Sequence, residues 1–416
     1  MGFSSWSFSK ARLRLALGIM GVVMAAIAGI APQKALAAGR AQHPRSYFLY
    51  VGTYTGPNSK GIYLFRFDES TGHLTSLGLA AQIGNPSWIT VSPNHHYLYA
   101  LTEMPSHSAN TPRPKGPILG TVSSFAINPK TGALKFLNRT STGGVGPAYV
   151  GMDNTGKMLF VANYGSGSVA SYSILPNGSI GAMTAFGQHR GHSVNPERQR
   201  YPHAHEAVVS PDNRFLYTPD LGLDRIFIYS IDYAKRSFTP NHPPYAAVTP
   251  GLGPRHIVFS PNRKFAYVVC EMGASVVALS YHPANGSLTP VQTISILPSD
   301  FTGVDQGSEI QIDRSGRYLY ASNQGPNDNP DLVDGRITVF QIDAKTGLLK
   351  QIQVMSTGGK LARNFVLDPS GKYLLAGNDD SNSITVFTIA ANGKIAPTKQ
   401  AAEVGSPTAL LFVPAP

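Results

Sequence analysis

The sequence predicts an all-β fold, a seven-bladed β-propeller closed by its C-terminal strand. A run–turn–run pattern recurs along the chain, with a Ser-Pro or Asp-Pro turn after the first run, as at Pro93, Pro211, Pro261 and Pro369. The runs are short and rich in Val, Ile, Tyr and Phe, which favour strands. Four such strands in each repeat of about 40–50 residues are typical of a β-propeller. The 42 glycines and 32 prolines supply the many turns that such a chain requires.

The N-terminus has the pattern of a secretory signal peptide. Residues 10–14 carry three positive charges, residues 15–30 form an uncharged apolar run of 16 residues, and residues 35–37 read Ala-Leu-Ala. This predicts a cleaved leader over 1–37 and a periplasmic or secreted protein. The alternative is a membrane anchor, but the run is shorter than the ~20 apolar residues of a typical span. The mature part, 38–416, is then predicted to be one propeller domain without a membrane span.

The repeats divide into six complete units and one split unit. The complete units begin near Pro86, Pro147, Pro202, Pro254, Ser308 and Ala362. In the seventh, Tyr47–Val51 and Ile62–Phe67 lack a preceding inner strand, while Pro407–Val413 is an inner strand with nothing after it. Pairing the last strand with the first closes the ring and removes both exposed sheet edges.

Charge and cysteine content exclude several classes of function. The formal charge is +11, and removal of the four leader cations, with no acid among the first 37 residues, leaves +7. The positive charges form no long run, so nucleic acid is not an expected partner. Cys270 is the single cysteine, so no internal disulfide is possible, and its place at the end of a strand favours core packing. We expect a monomer that binds a small molecule.

One face of the predicted ring is the functional face. If the strands of a blade are named A to D from the centre outward, the D-to-A and B-to-C connections share one face. Three long insertions fall there, at 104–120, 187–201 and 324–335. Polar residues also begin A strands or end B strands at this face, and they are His205, Arg255, Glu103, Asn163, Asp220, Glu271, Asn323 and Asn378. Variable loops on a rigid scaffold are where binding residues usually lie.

These motifs resemble the lactonase family of seven-bladed propellers, which includes 6-phosphogluconolactonase and a related fungal carboxymuconate-lactonising enzyme. The matching stretches cover the whole mature chain and include 50–55, 161–164, 202–205, 219–225, 253–256, 320–323 and 363–365. The resemblance implies a lactone-handling site formed by His205, Arg255 and Glu271. His205 would activate water, since imidazole titrates near neutral pH. Arg255 would bind a carboxylate or stabilise an oxyanion. A structural histidine and a structural ion pair are the alternatives.

Further residues are predicted to bind the substrate, and no cofactor or metal is predicted. The substrate-binding candidates are His203, Asp220, Asn163, Tyr164, Asn323, Gln324 and Arg363. His203 and His205 also resemble a metal pair, because alternate residues of a strand share a side. A third ligand is missing, because side chains alternate along a strand and Glu206 would point to the side opposite His203 and His205.

The sequence departs from the family pattern at two positions. Gln324 stands where the family usually has Arg, and Ala362 stands where it tends to have Pro. Loss of an anion-binding arginine argues against a phosphorylated substrate, unless Arg336 or Arg363 replaces it. Two hypotheses therefore remain open: an exported hydrolase that opens a sugar lactone resembling 6-phosphogluconolactone, and a non-catalytic exported propeller that binds a glycan or protein on this face.

Overall fold

The computed structural model describes residues 46–103, 119–325 and 334–416. These residues form strands, and within the described ranges there is no helix that could cross a membrane. The predicted signal peptide (1–37) lies outside them, as do 104–118 and 326–333, which make up most of two predicted insertions.

The described strands form seven four-stranded sheets, which we number as blades 1 to 7. Blade 1 contains β28 (Pro407–Pro414), β1 (Ser46–Thr53), β2 (Gly61–Asp68) and β3 (His73–Gln82). Blade 2 contains β4 (Ile89–Val91), β5 (Tyr97–Thr102), β6 (Thr121–Ile127) and β7 (Leu134–Ser141). Blade 3 contains β8 (Pro147–Met152), β9 (Met158–Asn163), β10 (Ser168–Ile174) and β11 (Ile180–Gln188). Blade 4 contains β12 (Val208–Val209), β13 (Phe215–Asp220), β14 (Arg225–Asp232) and β15 (Ser237–Ala247).

The remaining three blades follow the same plan. Blade 5 contains β16 (Pro254–Phe259), β17 (Phe265–Cys270), β18 (Ser275–His282) and β19 (Ser287–Ser295). Blade 6 contains β20 (Gly307–Ile312), β21 (Tyr318–Asn323), β22 (Asp334–Ile342) and β23 (Leu349–Lys360). Blade 7 contains β24 (Ala362–Leu367), β25 (Tyr373–Asn378), β26 (Ser383–Ile389) and β27 (Ile395–Glu403). The predicted fold class and blade boundaries are confirmed.

The two ends of the propeller chain meet in blade 1. β28 pairs antiparallel with β1, with Tyr47 opposite Pro414 and Val51 opposite Leu410. The inner strand of this blade thus comes from the C-terminus and its other three strands come from the N-terminal part. This arrangement confirms the predicted closure, and it pairs the edge of β1 that would otherwise be exposed.

Burial decreases from the inner strands to the outer ones, and the sequence pattern follows. The second strands β9, β13 and β17 are buried along their whole length, because neighbouring blades cover both of their faces. Outer strands such as β3 are mostly exposed or half-buried, and Leu74 is the buried residue of that strand. The continuous apolar runs of the sequence are therefore second strands packed between blades.

A tyrosine repeated on the second strand ties each of five blades to the next. The Tyr50 hydroxyl donates to the Gly132 carbonyl at 2.6 Å, and Tyr217 donates to Gly286 at 2.6 Å. Tyr99, Tyr267 and Tyr320 make the same bond at 2.8 to 3.0 Å. A buried hydroxyl costs free energy unless it is hydrogen-bonded, so each tyrosine fixes the position of the next blade's outer turn.

Candidate active site

Seven side chains stand at equivalent positions just after the second strands and form a wall around the axis. In every blade the backbone N–H of this residue donates to the carbonyl that precedes the inner strand, at 2.8 to 3.1 Å. The wall residues are Tyr54, Glu103, Tyr164, Leu221, Glu271, Gln324 and Asp379. The repeated bond places all seven at the face that receives the long insertions, as the sequence predicts.

A second set of seven equivalent positions lies at the start of the inner strands, and we call these the floor residues. They are Thr408, Ser87, Ala148, His205, Arg255, Ser308 and Arg363. In several blades this residue is the extra one of a β-bulge, as Arg255 is between Pro254 and His256. The same shift in strand register occurs in blades 1, 3 and 7. A bulge changes the direction in which side chains point. Consecutive floor-strand residues therefore do not alternate strictly between the two faces of the sheet.

Glu271 is the centre of a charged cluster formed by wall, floor and loop. Its Oε1 accepts a hydrogen bond from Nη2 of Arg198 at 2.5 Å, and its Oε2 accepts one from Nε of Arg255 at 3.2 Å. Nε2 of His205 lies 3.9 Å from the same Oε2. The three residues predicted to be catalytic are therefore together, and all three are buried. A fourth residue, Arg198, completes the cluster.

His205 is a buried, neutral imidazole. Its pKa is well below its ordinary value because burial disfavours the charged form, and the nearby Arg255 adds repulsion. Within the described part of the chain, its Nδ1 has no hydrogen-bond partner. The ring of Tyr164 lies at 5.5 Å and that of His256 at 5.0 Å, both edge to face. The imidazole is thus in its neutral form, which is the form that can accept a proton.

Arg363 organises the opposite side of the floor. Its Nη2 donates to the Tyr54 hydroxyl at 2.7 Å, and that hydroxyl donates to Oε2 of Glu103 at 3.0 Å. Burial raises the pKa of nearby Asp379 to about 6, although Arg363 opposes this shift. Repulsion from Arg363 also adds to burial in lowering the pKa of Arg255. An anion bound near both guanidinium groups would relieve that repulsion.

Gln324 occupies the wall position where an arginine was expected by resemblance. It is buried, and its Oε1 accepts from Nη1 of Arg363 at 3.3 Å and from Oγ of Ser308 at 3.2 Å. Arg336, the other suggested substitute, pairs with Asp305 at 3.5 Å. Of the two candidates, Arg363 is therefore the cation that contacts position 324.

Three of the predicted substrate-binding residues lie behind the wall, one position earlier in the chain. Asn163 and Asp220 are fully buried, and Asn323 is almost so. Asn163 donates to Thr142 O at 3.2 Å, and Nδ1 of His189 lies 2.6 Å from Asp220. These contacts order the connections between strands, which favours a supporting role for the three side chains.

His203 and Tyr164 form a stacked pair at the wall. Their ring centroids are 4.4 Å apart with an interplanar angle of 20°, and Nδ1 of His203 lies 3.0 Å from Tyr164 O. Burial and Glu271 raise the pKa of Tyr164. Among the described residues no group of three or more His, Cys, Asp or Glu side chains is placed to bind a metal ion. The stack instead covers one side of His205.

Arg198 was not singled out from the sequence, although its loop was. It lies in the D-to-A connection after β11, which Asp224 fastens to blade 4. Asp224 accepts hydrogen bonds from Ser193 Oγ at 2.6 Å, Gln199 Nε2 at 2.8 Å and Gly253 N at 2.7 Å. One carboxylate thus positions the loops that carry Arg198 and Arg255. The only available indication was the length of this insertion.

An aromatic group lies deeper on the axis, below the floor residues. The ring of Trp88 is 4.7 Å from that of Tyr149 and 4.9 Å from that of His256, which comes from a blade three places further round the ring. A cavity of about 480 Å³ is lined by Trp88, Tyr149, Glu206 and Glu309. Glu206, expected to point away from His205, lines this cavity. Its Oε2 accepts from the backbone N–H of Ile257 at 2.6 Å.

Comparison with known proteins identifies relatives of this chain. A family model described as "Lactonase, 7-bladed beta-propeller" matches residues 48–412. The chain is 33% identical over 341 residues to 6-phosphogluconolactonase of Bacillus subtilis, covering 82% of this chain and 90% of that protein. It is 31% identical over 341 residues to 6-phosphogluconolactonase of Formosa agariphila, covering 82% and 91%. The solved periplasmic gluconolactonase of Pseudomonas aeruginosa is 32% identical with a TM-score of 0.80, covering 89% of this chain and 100% of that one.

Proposed function

The chain belongs to the seven-bladed β-propeller lactonase family and is a lactone hydrolase, and from this premise we propose that it opens a sugar lactone with water activated by His205. The observation that carries the proposal is a buried, neutral imidazole 3.9 Å from a carboxylate that two arginines bind. A general base must be unprotonated at the working pH. Burial lowers the pKa of His205, so its imidazole is in the unprotonated form.

The proposed reaction adds one water molecule across the ester bond of the ring. His205 takes a proton from water while the oxygen attacks the carbonyl carbon. The negative charge that develops on the carbonyl oxygen is stabilised by Arg255, with Arg363 close by, as in other oxyanion sites. The bond from the carbonyl carbon to the ring oxygen then breaks, and the proton on His205 passes to that oxygen. The product is an open-chain sugar acid, whose carboxyl group releases its proton to the solvent and becomes a carboxylate.

Glu271 has a positioning role in this scheme. It receives charge-assisted hydrogen bonds from Arg198 and Arg255 on its two oxygens, and such bonds are stronger than neutral ones. The carboxylate also attracts the imidazolium that forms when His205 takes the proton. Glu271 therefore orients Arg255 and stabilises the charged intermediate form of His205.

The charge arrangement favours a lactone without a phosphate group. Among the described wall and floor residues, Arg363 already contacts Tyr54 and Gln324, and Arg255 already contacts Glu271. A phosphate monoester carries nearly two negative charges and needs cations of its own. Gln324 supplies no positive charge at the position where the family usually has an arginine. The solved relative named as a periplasmic gluconolactonase is consistent with this substrate class.

We also propose that the protein is exported and acts in the periplasm or outside the cell. The leader-like pattern at 1–37 supports this location, and so does the name of the periplasmic relative. N-terminal sequencing of protein from the periplasmic fraction tests it, and a mature start at residue 38 is expected. A protein retained in the cytoplasm with its N-terminus intact would contradict export.

A lactone panel tests the catalytic proposal. Mature protein (38–416) is mixed with a six-carbon sugar lactone, with and without a 6-phosphate, and ring opening is followed by acid release above the buffer rate. We expect hydrolysis, faster for the unphosphorylated compound. Hydrolysis at the buffer rate by both wild type and His205→Ala would favour the alternative of a non-catalytic propeller that binds a glycan or protein.

A further inference from the structure

We propose that His256 is a positioning residue for His205, and that it fixes the angle at which the His205 imidazole meets the attacking water. The inference rests on the proposed function, because it concerns the same proton transfer. It also assigns a role to the His256 of the Gly-Pro-Arg-His stretch at 253–256, which the reaction scheme above does not use.

The orientation of His205 is not set by a hydrogen bond. In a Ser-His-Asp site, a carboxylate bonded to the second ring nitrogen holds the catalytic imidazole in place. Here, among the described residues, Nδ1 of His205 has no hydrogen-bond partner. The distance of 3.9 Å from its Nε2 to Glu271 Oε2 is too long for a hydrogen bond. Packing must therefore determine the ring angle.

Two rings bracket the His205 imidazole. His256 lies at 5.0 Å with an interplanar angle of 73°, and Tyr164 lies at 5.5 Å with an angle of 78°. Edge-to-face contacts at these distances are favourable. Because both neighbouring rings meet the imidazole nearly at right angles, rotation of His205 about its Cβ–Cγ bond would bring it into one of them. The base is thus oriented by ring contacts.

His256 can limit rotation of the His205 ring because its own position is fixed by contacts on several sides. Its Nδ1 lies 3.3 Å from Oε2 of Glu309, and that oxygen also accepts from Nδ2 of Asn364 at 2.7 Å. Nη1 of Arg255 lies 3.4 Å from the imidazole nitrogens, and Trp88 packs against the ring at 4.9 Å. His256 itself is buried. It therefore contacts both His205 and Arg255 while a carboxylate holds it from below.

Two substitutions distinguish the contribution of the His256 ring from that of its contact with Glu309. His256→Asn keeps a donor toward Glu309 but removes the ring edge that meets His205. Glu309→Gln keeps the shape and the acceptor but removes the charge that strengthens the anchor. For His256→Asn we expect kcat to fall about tenfold or more with KM within twofold, because misplacement of a catalytic group affects the chemical step. For Glu309→Gln we expect a smaller fall in kcat. The matched control is His282→Ala, an exposed histidine on the opposite face.

A double-mutant cycle then tests whether His256 acts through His205. The rates of His205→Ala and of His205→Ala combined with His256→Asn are compared, and melting temperatures check that each variant is folded. If His256 only positions His205, the second substitution costs nothing further once His205 is gone. An equal fall in both backgrounds would overturn the inference, as would a wild-type kcat for His256→Asn while His205→Ala is slow. A wild-type rate for His205→Ala would overturn the proposed function as well.

Discussion

Arg198 and Glu271 lie 73 positions apart in the chain, yet Nη2 of the first is 2.5 Å from Oε1 of the second. The contact joins the loop after blade 3 to the wall of blade 5. It means that the charged cluster depends on a loop residue as well as on the propeller scaffold. A loop that binds the central carboxylate can change the site while the blades stay the same.

Arg198→Ala should therefore lower kcat/KM about tenfold, which corresponds to the loss of roughly 1.4 kcal/mol of transition-state stabilisation. Among the described residues, Glu271 would keep only Arg255 as a hydrogen-bonded partner, so its orientation toward His205 would loosen. Steady-state kinetics on the preferred lactone measures the effect. Arg200→Ala is the control, since Arg200 is exposed on the same loop. Equal kinetics for both variants would mean that the Arg198 contact does not matter to the reaction.

His205→Ala should reduce kcat by roughly 10²-fold or more, which is the usual contribution of a general base. His205→Gln should be similarly slow, because an amide cannot accept the proton from water. His282→Ala, an exposed histidine, should keep the wild-type rate. Initial rates corrected for spontaneous hydrolysis provide the measurement, and a loss of less than threefold in His205→Ala would argue against general-base catalysis.

The pH profile follows from the lowered pKa of His205. Only the neutral imidazole accepts a proton, so kcat/KM should stay level down to pH 6.5 and fall only at lower pH, as His205 becomes protonated at its depressed pKa.

The lowered pKa of His205 also affects stability, because the unfolded chain takes up a proton near the ordinary pKa of about 6.5 before the folded protein does. Stability should thus fall as pH drops below about 6.5, and less so in His205→Ala. Melting temperatures between pH 7 and 5 would show this difference, and an acid limb above pH 6.5 would contradict it.

Leu410→Ala should destabilise the protein by about 2–5 kcal/mol, the usual cost of truncating a buried leucine. Leu410 is 7% exposed on the closing strand β28, opposite Val51 of β1. Leu348→Ala, at a residue 42% exposed, should change stability by less than about 0.5 kcal/mol. Denaturant midpoints compare the two variants. Deletion of 407–416 should be costlier still, and an unchanged melting temperature after that deletion would be incompatible with ring closure by β28.

Gln324→Arg should shift specificity toward phosphorylated lactones by about tenfold in the ratio of kcat/KM values, because it adds a cation beside Arg363. The rate on neutral lactones should fall, since the new charge repels Arg363. Gln324→Leu removes the hydrogen bonds without adding charge and separates the two effects. If both variants keep the wild-type preference, position 324 does not determine the choice of substrate.

The fold was predictable because each blade carries its own sequence pattern. The Ser-Pro and Asp-Pro turns mark the inner hairpins of blades 2, 4, 5 and 7, and the unpaired strand at Pro407–Val413 indicates how the ring closes. The turns also indicate where strands end, and on that basis His205, Arg255 and Glu271 were expected at one face, where the structure has them close together. Cys270 is buried, as its strand pattern predicts.

The finer geometry of the site was not predictable from alternation alone. Asn163 and Tyr164 are neighbours in the chain, but only Tyr164 stands in the wall, while Asn163 is buried behind it. The bulges in the inner strands bring consecutive residues such as Arg255 and His256 toward the axis. A bulge inserts one residue without any fixed sequence pattern. Arg198 was missed for a different reason, because the path of its loop depends on Asp224.

The pairing of β1 with β28 also has a consequence for the order of folding. During synthesis the first blade has three of its strands long before the fourth exists, because β28 comes after the strands of all six other blades in the chain. Until then the edge of β1 is unpaired and could join a strand of another molecule. Contacts between distant parts of a chain form slowly, so completion of the ring is expected to be the late step in folding. Protein that stops short of β28 would then be an aggregation-prone intermediate rather than a smaller propeller.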